Sequence, residues 1–170
     1  GLWISRDGGQ SWTEDPGIRG QSIRAFVQSR SNPQLLFAGT LTGVFRSADA
    51  GATWQRISPP GSREIHEVES LAVDPVDPET VYVGTWHLPW KTANGGKTWR
   101  NIKRGVIDDS DVFSILLDPA RPRTVYASAC SGIYKSMDGG ELFRKIQGIP
   151  SSARRTRVLM QDPSDHQVVY

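Results

Sequence analysis

One eight-residue phrase returns four times along the chain. Ser5-Arg6-Asp7-Gly8-Gly9-Gln10-Ser11-Trp12 is followed by Ser47-Ala48-Asp49-Ala50-Gly51-Ala52-Thr53-Trp54 and by Thr92-Ala93-Asn94-Gly95-Gly96-Lys97-Thr98-Trp99. The last copy is Ser136-Met137-Asp138-Gly139-Gly140-Glu141-Leu142-Phe143. Successive starts are 42, 45 and 44 residues apart. A period of that size, carrying strand-like text, marks a repeat architecture of four-stranded blades.

The text between the phrases fits four short strands per repeat. The first is read at Ile23 to Gln28, Val68 to Val73, Val112 to Leu117 and Thr156 to Gln161. Proline turns follow, such as Asp74-Pro75 and Asp118-Pro119, where a fixed φ stops the ladder. The second strand is read at Leu35 to Ala38, Thr80 to Val83, Thr124 to Ala127 and Val168 to Tyr170, β-branched and aromatic runs suited to a pleated surface. An aromatic column of Trp3, Phe45, Trp90 and Tyr134 marks the third, and the phrase itself turns the chain into the fourth. The predicted fold is all-β: part of a β-propeller, with blades over 17–58, 61–102 and 105–147 and half-blades over 1–14 and 150–170.

Within each phrase, the Asp or Asn oxygen is expected to accept backbone N–H groups of its own turn, and glycine supplies the φ > 0 that follows. The closing aromatic is read as a plug, so Trp12, Trp54 and Trp99 are expected to be largely buried. Leu142 and Phe143 replace Thr and Trp in the last copy, which predicts a looser plug there. A calcium role for Asp7, Asp49 and Asp138 is disfavoured, because one recurring carboxylate per repeat is too few for that ion. The three histidines, His66, His87 and His166, show no metal-ligand spacing, and no cofactor motif stands out.

Composition sets outer bounds. Lys and Arg number 20 and Asp and Glu 18, a net charge of +2 that provides no global field for nucleic acid. The most apolar stretch, Val112 to Leu117, is too short to span a bilayer. The single cysteine, Cys130, excludes an internal disulfide and is read as a small turn residue.

The phrase resembles the Asp-box, or BNR repeat, S-x-D-x-G-x-T-W. Its positions are matched by Ser5, Asp7, Gly9 and Trp12; by Ser47, Asp49, Gly51 and Trp54; by Thr92, Asn94, Gly96 and Trp99; and by Ser136, Asp138, Gly140 and Phe143. The longer unit, D-P-x-x-P-x-T-V-Y-x-G-T running into the phrase, is similar to Asp-box propellers across essentially the whole chain. These include sortilin-type receptor domains, photosystem II assembly factors, xyloglucanase-type glycoside hydrolases and sialidases. The resemblance implies a propeller scaffold and an extracytoplasmic setting, and its members divide between enzymes and binding proteins. Members of the family generally have more blades, which implies a piece of a larger propeller; pairing of the two half-blades into a closed four-bladed ring is the alternative. An open arc is expected to expose apolar surface and to self-associate.

Length variation locates the candidate site. Ala25 to Ser47, Ser70 to Thr92 and Ser114 to Ser136 each span 22 positions, whereas the pieces that follow the phrases take 13, 16, 15 and 15. The varying connections share a face with the turns between second and third strands, and function concentrates in such loops. Two of those turns read Leu41-Thr42-Gly43 and Cys130-Ser131-Gly132, but the one between them is Trp86-His87-Leu88. Trp86 is the one tryptophan of six outside a repeated column. It is read either as a platform for a sugar or peptide or as a ring packed over Pro89. Leu88 is expected to avoid φ > 0, so this turn should differ from its siblings.

Flanking it are Glu64, His66, Glu67 and Glu69, then Asp108, Asp109 and Asp111, and a basic step of Arg154, Arg155 and Arg157. Asp109 and Asp111 are the candidate catalytic carboxylates, although a solvated loop is the favoured reading. The expected function is a non-catalytic scaffold for a protein or carbohydrate ligand, with Trp86, His87, Asp109, Asp111, Arg155 and Arg157 at the contact. The alternative is a glycoside hydrolase with its carboxylates in these connections or in further blades.

Overall fold

A computed structural model describes residues 1–108, 110–150 and 155–170, so Asp109 and Arg154 lie outside the described residues. Strands β1 (Trp3–Ile4) and β2 (Thr13–Glu14) form a two-stranded sheet. Three four-stranded antiparallel meanders follow. The first is β3 (Ile23–Gln28), β4 (Leu36–Thr40), β5 (Gly43–Ser47) and β6 (Gln55–Arg56). Next come β7 (Val68–Val73), β8 (Val81–Thr85), β9 (Pro89–Thr92) and β10 (Arg100–Asn101). The third is β11 (Val112–Asp118), β12 (Arg121–Ala129), β13 (Gly132–Ser136) and β14 (Phe143–Lys145). Sequential antiparallel sheets of this kind, packed one on the next, are the blades of a β-propeller.

In the first blade Ser29 closes the first-to-second-strand reversal by accepting the Asn32 amide, and in the later repeats an aspartate does so. Asp74 accepts the amides of Val76 and Asp77, and Asp118 those of Ala120 and Arg121. Asp162 does the same for Ser164 and Asp165, although only a bridge between Gln161 and Val169 follows it. The first and second strands expected at 156–161 and 168–170 are therefore reduced to that bridge and the mutual amide bonds of Met160 and Tyr170, at 3.1 and 2.8 Å.

The core lies between sheets. Phe37, Val44, Val68, Val81 and Val83 fill the space between the first and second meanders, and Tyr82, Ile102, Val112, Val125, Tyr134 and Phe143 that between the second and third. Each such side chain contributes about 1.5–3 kcal/mol on full burial. Polar clips cross the same gaps. Arg46 on β5 donates to Glu79 at 2.6 Å, and Lys91 on β9 donates to the Gly139 carbonyl at 3.0 Å while lying 4.7 Å from the Tyr82 ring centre. Burial pushes the Tyr82 hydroxyl up to about 12 and the Lys91 ammonium down.

The octapeptide turns have the expected chemistry. Asp49 accepts the Thr53 amide at 2.8 Å and the Thr53 hydroxyl at 2.5 Å, while the Ser47 hydroxyl donates to Asp49 and accepts the Gly51 amide. Asp7 and Asp138 repeat the pattern with Ser11 and with Glu141 and Leu142. Asn94 accepts the Thr98 amide, and its own amide donates to the Thr98 hydroxyl. The first glycine of the pair has φ of 71°, 66° and 77° at Gly8, Gly95 and Gly139; Ala50 occupies the same place at 56°, a strained position for a residue with a Cβ.

Two expectations about the plugs are overturned, for one reason. Each aromatic plug packs on the preceding sheet rather than on its own. The Trp54 indole N–H reaches Asp15 at 3.0 Å and that of Trp99 reaches the Ile57 carbonyl at 2.9 Å; both rings are half-buried. Trp12 has no four-stranded sheet before it among the described residues. It is 59% exposed and folds its N–H back on Gly9. Phe143, expected to be loose, is 1% exposed, enclosed with Ile102 and Val106 of the second blade's exit. Its smaller ring fits deeper into that gap.

Two outcomes follow. Trp54→Ala should lower the unfolding free energy by about 3 kcal/mol, as large aromatic deletions in packed sites do. Trp12→Ala should change it by under about 0.5 kcal/mol, both read by chemical denaturation. The hydroxyl and amide of Thr53, then the Ser47 hydroxyl, hold the Asp49 carboxyl below its ordinary range. A depressed carboxylate stabilises above its unfolded value and loses that contribution as pH falls through the folded one. The melting temperatures of wild type and Asp49→Asn should therefore differ at pH 7 and converge as pH drops below about 4.

Candidate functional site

The interblade connections and the second-to-third-strand turns meet on one face, joined by backbone bonds. Leu41 donates to the Ser22 carbonyl at 3.1 Å, and the Leu41 carbonyl accepts the Glu67 amide of the next blade at 3.0 Å. Trp86 donates to the Glu67 carbonyl at 3.2 Å, Leu88 to that of Ser110 at 2.9 Å, and Cys130 to that of Asp111 at 3.1 Å. The Trp86 turn is thus tied on one side to the connection that opens its own blade and on the other to the connection of the third.

Trp86 is 38% exposed and has two imidazoles beside it, its ring centre 5.3 Å from that of His66 and 5.2 Å from that of His87. Within the turn, the Thr85 hydroxyl donates to the His87 carbonyl at 2.7 Å and accepts the His87 amide at 3.0 Å. Leu88 corrects the expectation made for it. It takes φ of 68°, where Gly43 and Gly132 sit at 142° and 138°. The left-handed position costs about 1–2 kcal/mol for a residue with a Cβ. Burial of its side chain at 2% exposure, among Ile102, Val106 and Val112, together with the bond to Ser110, offsets that cost. The turn does differ from its siblings, by a different route.

Beneath the turn, the first strands carry a feature the sequence did not reveal. Register shifts fall between Ile23 and Ala25, Val68 and Ser70, and Val112 and Ser114, so Arg24, Glu69 and Phe113 are each the extra residue of a β-bulge. Bulges re-aim a side chain out of the ladder. Arg24 pairs directly with Glu69 and stands 3.9 Å from Glu67. Arg157, at the same register one repeat further on, lies 3.9 Å from Glu69 with its guanidinium 4.6 Å from the Phe113 ring centre. Four successive repeats are thereby linked at one level, and the common register of 24, 69, 113 and 157 is the sequence signal that could have located it.

The other candidates are more dispersed. Asp111 accepts the Cys130 thiol at 3.5 Å, and the neighbouring Ser110, 1% exposed, shares a hydroxyl contact of 2.8 Å with Ser131. Asp108 pairs with Lys103 at 3.0 Å. Arg155 is exposed with φ of 60°, and Glu67, at the same register two repeats earlier, has φ of 46°. Strained residues of this kind gather at binding and catalytic sites. Three of the four non-glycine residues with positive φ among the described residues, Glu67, Leu88 and Arg155, lie in this face's connections and turns. Among the described residues no group of three or more His, Cys, Asp or Glu side chains is placed to hold a metal ion, and no helix is long and apolar enough to cross a membrane.

No protein-family model and no curated protein matches the chain. Solved structures do, and they establish the fold as a β-propeller. An ancestral GH74 enzyme is 20% identical with a TM-score of 0.71, over 89% of this chain and 22% of that one. The extracellular domain of BT4673 from B. thetaiotaomicron is 18% identical with a TM-score of 0.71, over 96% of this chain and 22% of that one. YCF48 bound to D1 peptide is 16% identical with a TM-score of 0.61, over 85% of this chain and 46% of that one. The chain therefore spans less than half of the length of each. Propeller enzymes and a propeller that binds a peptide both share its architecture.

Leu88→Ala, which removes the buried anchor of the Trp86 turn, should cost about 2–4 kcal/mol by denaturation. It should also raise the accessibility of a tryptophan to acrylamide quenching, because the turn loses its hold on the third blade.

Proposed function

We propose that the protein is a non-catalytic Asp-box propeller scaffold that binds a protein or glycan ligand on the face carrying the Trp86 turn. The observation that carries this reading is an exposed indole held in place by backbone bonds to both neighbouring connections. A large aromatic fixed at a loop tip and left partly in solvent offers contact area at low entropic cost. The ring partners of Trp86 are His66 and His87.

The carboxylates on this face support binding over hydrolysis. A glycoside hydrolase of the usual kind sets two carboxyl groups across one bond, one of them free to give up a proton. Here Glu69 pairs with Arg24 and Asp108 with Lys103. The GH74 enzyme and the protein bound to a peptide share the scaffold, so the site decides between the two readings.

The test is a binding and turnover panel of β-glucan oligosaccharides, sialosides and peptides on the full chain. Trp86→Ala should weaken the ligand found by at least about tenfold while leaving the melting temperature nearly unchanged. Hydrolysis of any glycan that is abolished by Asp111→Asn or Asp109→Asn would replace this reading with the hydrolase.

A further inference from the structure

Resting on the binding reading above, we propose that the Trp86 turn, with Glu67 on one side and Asp111 on the other, takes a cationic side chain, lysine or arginine, from a basic segment of a partner protein. The indole is the first element: its π-face attracts an ammonium or guanidinium, and tryptophan is the strongest of the aromatic residues in this role. The two imidazoles beside it fix the ring without covering all of it, leaving 38% exposed.

Glu67 is the second element. Among the described residues its ion-pair contacts are His66 at 3.7 Å and Arg24 at 3.9 Å, both beyond hydrogen-bond length. Arg24 is directly engaged by Glu69 instead, so the nearest cation is already satisfied elsewhere. The Glu67 carboxylate is half-exposed, its backbone is bonded to Trp86, and it has lone pairs to give. Asp111, on the other side of the turn, has only the weak thiol contact.

Charge complementarity completes the case. The connections that flank the turn are each acidic by one charge, Arg63 against Glu64 and Glu67 before it and Lys103 and Arg104 against Asp108, Asp109 and Asp111 after it. An incoming cation meets carboxylates on both sides of an aromatic surface. Because the turn is bonded at Glu67 and Ser110, little ordering is left to do at binding. A neutral sugar would use the indole but not the carboxylates, and an acidic ligand would be repelled by them.

Fluorescence anisotropy of labelled hexalysine with the full chain tests this, with hexaglutamate and a neutral β-glucan hexasaccharide as comparisons. Hexalysine should bind, and more weakly at 500 mM than at 150 mM salt. Trp86→Leu, which keeps apolar bulk without the indole, should weaken it about tenfold, and Glu67→Gln at least about threefold. Melting temperatures report on folding in each variant, and Glu67→Gln carries the test if Trp86→Leu is unstable. No hexalysine binding up to millimolar concentration overturns the proposal, as does binding unchanged in both variants. If the neutral hexasaccharide binds through Trp86 and hexalysine does not, the cationic partner is wrong and the ligand-binding reading survives. If Trp86 substitution affects no probe in either panel, the ligand-binding reading itself is wrong.

Discussion

Everything in this molecule depends on sheets that cannot cover themselves. Each blade buries one face against the sheet before it and the other against the sheet after it, and the octapeptide aromatic is the piece that crosses the gap. Trp54, Trp99 and Phe143 are placed by a turn in one blade and find their contacts in another. The turn is rigid because hydroxyls and amides saturate a single carboxylate. The aromatic at its end therefore has a fixed aim, and the spacing between successive blades follows from it. Arg46 with Glu79 and Lys91 with Gly139 then hold the same gaps from the outer strands.

The fold was legible because its determinants are local and repeated. Four copies of a turn with the same hydrogen-bond chemistry, and a constant 22-position spacing into it, leave few other architectures open. What stayed hidden is what happens between copies. A sequence shows that Trp12 and Trp54 occupy the same place in the motif, but not that each needs a sheet on its far side. One is half-buried and the other open for that reason alone. Phe143 is buried on the same ground, because the fit of a plug depends on Ile102 and Val106 in the neighbouring blade. The terminal strands at 156–161 and 168–170 carry good strand text, yet text does not supply the partner strands that would extend the bridge at Gln161 and Val169.

The candidate site was legible by exception rather than by motif. Trp86 stood out because it broke a column, and it is exposed on the face where variation in length is gathered. The conformation that displays it is not legible in the sequence: Leu88 adopts a left-handed backbone that a propensity argument assigns to glycine. Tertiary burial and one bond to Ser110 outweigh the local preference, a competition between two terms of similar size that a sequence alone does not resolve. His66 was visible as a residue but not as a ring partner, since its contact with Trp86 joins a connection to a turn two strands away.

The recurring bulge has a consequence for what a scaffold of this kind can become. Arg24, Glu69 and Phe113 stand outside the pairing of their strands, with Ile23, Val68 and Val112 before them and Ala25, Ser70 and Ser114 after them carrying the ladder. A guanidinium, a carboxylate and a phenyl ring are tolerated at one and the same register, because none of the three is asked to complete a sheet. The ladder and the bulge fall to different residues on the same strand. The bulge positions can then be rewritten one blade at a time, like interchangeable type in a fixed frame.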